Sequence, residues 1–272
     1  SLTNFRRRGL GGQLVHLGDT IRVAGNPARS DPKRLYVENI LLANGEEVVT
    51  EGRGQPRWSD EVLGEDGPSG DGDRSALQLG IFRVWSSPLD QGLLFPEDVN
   101  PSFDFSLYPL TTAARSVVEA FDPVADSPIL NCVSKGMPTI MEQPYPMRFF
   151  LQGQNIILHL EEFDTFRTIH MAPDATADGQ SGSNLGYSTG RWEEGSLIVT
   201  TRHANWGHFD VVGIPLSEDP EIIERFTLND NGARLDYTLT VTDPETFTEP
   251  VTLSKFWVWY PEVTVEPFEC QV

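Results

Sequence analysis

A chain of 272 residues with 40 acidic against 20 basic side chains has a formal net charge of −20; such a surface repels nucleic acid and anionic lipid, and no nucleic-acid partner is expected. Apolar residues at 39% and aromatics at 10% are enough for a packed core and exclude a disordered chain. No stretch approaches the roughly 20 consecutive apolar residues of a membrane-spanning helix, so no span is expected.

The opening SLTNFRRRGL is followed by Gly, Gln and His rather than an apolar run, so it does not read as a signal peptide. The chain is expected to begin after processing, or to be the observed part of a longer one. Residues 1–51 read as a small β unit. In DTIRVAGNPA, Ile21 and Val23 alternate with polar neighbours ahead of a Gly-Asn-Pro turn, and RLYVENILLANGEEVV gives two further runs around Asn44-Gly45. These strands are too few to close a five-stranded barrel. Earlier residues or another chain are expected to complete the sheet.

Residues 52–76 are rich in Gly, Asp, Ser and Pro without hydrophobic period, which predicts a linker or exposed loop. Their acidity and the lack of a Lys-Ser/Thr pair argue against a phosphate-binding loop. Residues 77–272 form the main domain. GIFRVWSS predicts a strand anchored by Trp85, and TTAARSVVEAF predicts the one short helix, with Thr111 or Thr112 as N-cap and Ala114, Val117, Val118 and Phe121 at helical spacing. Strands follow at 147–152, 155–163, 167–171, 187–193, 196–202, 222–228, 233–242 and 251–260, with hairpin turns at 193–195 and 229–232. An antiparallel meander of this kind closes into an up-and-down barrel. The fold class expected is mainly β, a partial small barrel followed by a larger antiparallel, lipocalin-like barrel.

Several stretches are shared with one family. Cys132-x-x-x-Gly-Met-Pro138, Pro144-Tyr-Pro146, Glu162-x-Asp-x-x-Arg167, Gly186-x-Ser-x-Gly-Arg-Trp192 and Asp243-Pro-x-x-Phe-Thr-x-Pro250 occur in an order that resembles a family of exported bacterial proteins carrying a domain of unknown function. The N-terminal RRRGL, LGDTIRVAGNPARS and RLYVENILLANGEEV are similar to the second half of a small β-barrel domain found ahead of it. The resemblance implies export and a lipocalin-like β architecture, and assigns no activity. One departure is Leu216 in GIPLSE, where relatives tend to carry His.

Two cysteines are present, Cys132 and Cys270. In an oxidising compartment they can close a loop of about 139 residues, worth about 5 kcal/mol in the chain-entropy model; two unrelated buried thiols are the alternative. The expected location is periplasmic or extracellular.

The stretch EEFDTFRTIHM, residues 161–171, concentrates polar groups within the strands. Alternation places Glu162 on the face of Ile156, Leu158 and Leu160, and His159 on the other. With a two-residue loop at 164–165, or a four-residue loop at 163–166, Glu162 stands opposite Arg167 and His159 beside His170; a three-residue loop shifts this by half a step. The first expectation is a buried Glu162–Arg167 pair that sets register, with Asp164 turning the chain. The alternative places Glu162 and Arg167, with Tyr187 and Trp192, on the wall of a ligand cavity, or uses Glu162, Arg167 and His170 for acid–base chemistry.

His203, His208 and Asp210 with His159 and His170 do not form a recognisable metal motif, and no metal or cofactor is expected. Ser188 lies in Gly-Tyr-Ser-Thr-Gly but is followed by a hairpin instead of the helix a nucleophile elbow needs. The functional expectation is a non-catalytic binding or assembly protein, its partner a small amphipathic ligand or a protein reached through the N-terminal strands. The alternative is an enzyme acting on such a ligand by acid–base chemistry in the barrel.

Overall fold

Short runs of alternating apolar residues between turn formers become strands wherever a second run covers them. In the computed structural model, which describes residues 10, 14–50, 55–63, 79–88, 92–101, 104–260 and 263–270, two sheets arise this way. The first has the order β1-β2-β3-β4, from Arg22–Pro27 (β1), Leu35–Leu41 (β2), Glu47–Val49 (β3) and Val62–Leu63 (β4). β2 and β3 join through the turn at Asn44-Gly45, where Gly45 takes φ +94°.

β4 lies within the segment expected to be a linker and pairs with β3 in parallel. Its path is set by Glu47, fully buried on β3. The Glu47 carboxylate accepts N–H groups from Arg57, Trp58 and Ser59 and the Asn39 amide. Burial alone would raise its pKa, and these donors reverse the shift and lower it. Residues 52–54 and 64–76 of the expected linker lie outside the described residues.

The small sheet is joined to the larger domain by polar contacts. Asp122 accepts the Ser30 N–H at 2.7 Å and its hydroxyl at 2.8 Å while also bonding Val124 and Ala125 N–H. Arg34 donates to the Ala125 carbonyl and the Asn131 side chain.

The second sheet has nine strands in sequence order: Val84–Trp85 (β5), Met147–Gln152 (β6), Asn155–Leu160 (β7), Thr165–His170 (β8), Tyr187–Glu193 (β9), Ser196–Arg202 (β10), Glu221–Leu228 (β11), Arg234–Thr242 (β12) and Val251–Val258 (β13). Ser86 exchanges backbone hydrogen bonds with Val258, which links the two ends into a nearly closed barrel. The meander expected from the sequence is therefore present, with one difference. β8 and β9 run parallel, Ile169 opposite Ser188, because the connection 171–186 is long enough to return the chain to the other end, which a hairpin cannot do.

The interior is filled. Trp85, Phe149, Phe226, Tyr237 and Trp257 are each at most 1% exposed, with Phe149 edge-on to Phe226 at 5.3 Å and Tyr237 at 5.1 Å from Trp257. Strict alternation of buried residues along β12 and β13 supplies much of this core. The helix Thr112–Ala120 (α1) is capped by Thr111, whose hydroxyl accepts the Ala114 N–H at 3.2 Å. It buries Ala114 and Val118 at i, i+4, whereas Val117, expected on the same stripe, faces outward.

A disulfide joins Cys132 to Cys270, with Cα atoms 5.8 Å apart. Among the described residues, no helix is long and apolar enough to cross a membrane.

Candidate functional site

The turn after β7 occupies residues 161–164, earlier than either hairpin loop expected. Phe163 at φ 58° and Asp164 at φ 47° both take the left-handed region, reversing the chain directly after Leu160. Leu160 therefore faces Thr165, Leu158 faces Arg167 and Ile156 faces Ile169. Glu162 is not paired with Arg167, and His159 faces Phe166 instead of His170.

Each polar group of the stretch goes its own way. Glu161 accepts the Glu266 N–H at 2.9 Å and Asp164 the Phe268 N–H at 3.2 Å. These bonds hold the tail 263–270 across the turn, where the Phe268 ring meets Phe163 and Tyr145 before Cys270 closes the disulfide. Glu162 turns inward to Lys135, Nζ to Oε2 2.9 Å. His159 stacks on Phe166 at 4.0 Å and His170 on Tyr187 at 4.3 Å.

Arg167 points into the barrel and meets a carboxylate from across it. Its guanidinium donates twice to Glu224, once to Ser188 Oγ at 3.0 Å and once to Thr201 Oγ1 at 2.7 Å, and the Tyr237 hydroxyl adds a bond to Glu224 at 2.9 Å. Burial would lower the pKa of Arg167, and the Glu224 charge and hydrogen bonds raise it. Every partner is buried, so the network wires the lumen.

The residues expected to share one cavity are thus separated. Trp192 is 49% exposed, and Tyr187 packs on His170 away from Glu162. Ser188 is engaged as an acceptor and bonded to Thr201. His203 lies 3.2 Å from Asp219, while His208 packs between Phe121 and Trp206. Among the described residues, no three His, Cys, Asp or Glu side chains converge as metal ligands.

A different set of residues surrounds a cleft of about 170 Å3, lined by Tyr108, Lys135, Glu142 and Asp210 with Pro101, Val211 and Val212. Lys135 comes from the Cys-x-x-x-Gly-Met-Pro stretch. The next residue, Gly136, runs so close to its neighbours that a Cβ would lie 2.2 Å from the Asn184 carbonyl and 2.6 Å from Trp206 Cβ. Glu142 ends the 3-10 turn Thr139–Glu142. The last carbonyls of that turn are capped by Lys255, which projects inward from β13 and reaches Gln143 O at 2.9 Å.

Asp210 folds its own loop, its Oδ1 accepting the N–H groups of Val212 and Ile214. Tyr108 is 4% exposed, its ring 5.2 Å from Phe95 and 5.4 Å from Phe209. Its hydroxyl makes no hydrogen bond among the described residues and lines the open cleft.

Burial dominates the electrostatics here. It pushes Asp210 up to about 8, helped by the Glu142 charge and opposed by backbone N–H groups. It pushes Glu142 up to about 7 against the pull of Lys135 and Lys255, and Lys255 down to about 7 against Glu142. The Tyr108 phenol is raised by burial and then by Asp210 and Glu142. Neutral carboxyl groups at physiological pH can donate a proton or a hydrogen bond, as carboxylates cannot.

Sequence periodicity missed these residues because Tyr108, Lys135, Glu142 and Asp210 all lie outside the strands. One signal was present: the chain has only three lysines, and two of them, Lys135 and Lys255, are buried around this cleft. Comparison with protein-family models, curated proteins and solved structures finds no match.

Proposed function

We propose that the chain is an exported binding protein that holds a small molecule in the cleft between Tyr108, Lys135, Glu142 and Asp210, outside the barrel lumen. The carrying observation is that the Tyr108 hydroxyl, on a ring otherwise 4% exposed, lines the cleft with no hydrogen bond among the described residues. The filled lumen argues against the alternative of a ligand deep in the barrel. The Cys132–Cys270 bond supports an oxidising location, periplasmic or extracellular.

Native mass spectrometry of protein purified from its source tests this reading. A small-molecule adduct is expected, and Val212→Phe, which narrows the cleft, should lose it while circular dichroism still reports the native fold. An adduct that survives Val212→Phe would place the ligand elsewhere.

A second reading is favoured by Glu142 itself. A carboxyl near 7 beside a second one near 8 suits general acid–base catalysis at neutral pH, so the same cleft supports an enzyme that moves a proton on its ligand. Turnover that follows a bell-shaped pH profile and is lost in Glu142→Gln, with binding kept, would select this reading.

A further inference from the structure

Two of the four polar groups on the wall of the cleft, Lys135 and Tyr108, are donors by their chemistry. Lys135 carries three N–H bonds and has one partner, Glu162. Tyr108 contributes an O–H with no partner among the described residues. Glu142 has no side-chain hydrogen bond or ion pair among the described residues, and Asp210 uses one oxygen to hold its own loop. Pro101, Val211 and Val212 also line the cleft and offer apolar contact.

Resting on the reading of this cleft as a ligand site, the geometry points to a small monocarboxylate as its occupant. Its carboxylate would be received by the Tyr108 hydroxyl and the Lys135 ammonium, and its apolar end would lie on Pro101, Val211 and Val212. Size supports this: a cavity of about 150 Å3 holds benzene, so 170 Å3 accommodates a molecule near the size of benzoate.

Charge selects the anion over a cation. A cationic ligand would meet Lys135 at the wall, with Lys255 behind Glu142. It would also require Glu142 and Asp210 to ionise beside each other and beside Glu162, which burial opposes. An anion leaves both carboxyl groups protonated and adds charge-assisted hydrogen bonds from Tyr108 and Lys135.

Proton linkage follows. Benzoate stays ionised from pH 5.5 to 8.5, while Glu142 and Asp210 lose their protons over that range as pH passes about 7 and about 8. Binding should weaken by about tenfold or more as pH rises.

Calorimetric titration of the full chain with benzoate, benzyl alcohol and benzylamine at pH 5.5 and 8.5 is the test, with Tyr108→Phe as the variant. Benzoate is expected to bind best, at least tenfold more tightly at pH 5.5, and at least tenfold less tightly to Tyr108→Phe. Preference for benzylamine or benzyl alcohol, lost in Tyr108→Phe, would overturn the carboxylate while leaving the cleft as a ligand site. Benzoate binding indifferent to pH or to Tyr108→Phe would overturn it as well. No binding by any of the three overturns the carboxylate, and an adduct from the source that survives Val212→Phe removes the cleft reading separately.

Discussion

Glu224→Gln isolates the value of the lumen network. The substitution keeps volume and removes charge, leaving the Arg167 guanidinium 1% exposed and in contact only with neutral groups. Arginine cannot respond by losing its proton, since its pKa exceeds about 12. Two of its four hydrogen bonds here run to Glu224. Removing one partner of such a buried pair costs about 3–5 kcal/mol. For a domain of this size, 1 kcal/mol moves the midpoint by about 2–4 °C, so the melting temperature should fall by roughly 6–20 °C.

The triple variant Arg167→Met, Glu224→Leu, Tyr237→Phe should recover most of that loss, because no polar group is then left unmatched. Differential scanning calorimetry at pH 7 and urea titration read both effects. A loss below about 1 kcal/mol in Glu224→Gln, or a triple variant no better than the single one, would refute the reading of this network as a dry ion pair.

Three further outcomes are expected. Cys132→Ser with Cys270→Ser should lower stability by up to about 5 kcal/mol, the loop-closure value for this separation; dithiothreitol on the native chain should match it, and an unchanged urea midpoint would contradict the estimate. Gly136→Ala should cost about 1–3 kcal/mol through overpacking against the Asn184 carbonyl, read by thermal melting, and a neutral effect would mean that this segment yields easily. Asp210→Asn should gain stability relative to the native chain as pH rises from 5 to 8. The folded pKa of Asp210, about 8, lies above its unfolded value of 3.8, so its stabilising contribution is present at low pH and is lost as pH rises through 8. A constant difference between the two chains across that range would sink the assignment.

Strand positions from residue 147 onward were legible in the sequence because the signal is local. Along β12 and β13 every second residue is buried, and the glycine-marked turn 193–195 takes the positive φ values its composition calls for. The register of β7 against β8 was not legible. It depends on Phe163 and Asp164 taking left-handed conformations that non-glycine residues seldom adopt, and no local pattern announces that choice. Moving the turn sends Glu162 to Lys135 and leaves Arg167 to Glu224, 57 residues further along the chain.

The amino-acid sequence by itself determined the β class, the order of the barrel strands and the acidic exterior, since periodicity, turn chemistry and charge are properties of neighbouring residues. Tertiary structure decided which charges meet. Burial makes an ion pair or a neutral carboxyl group out of the same side chain, and burial at Glu142, Glu162 and Asp210 is created by segments far apart in the chain that pack around Lys135 and Lys255.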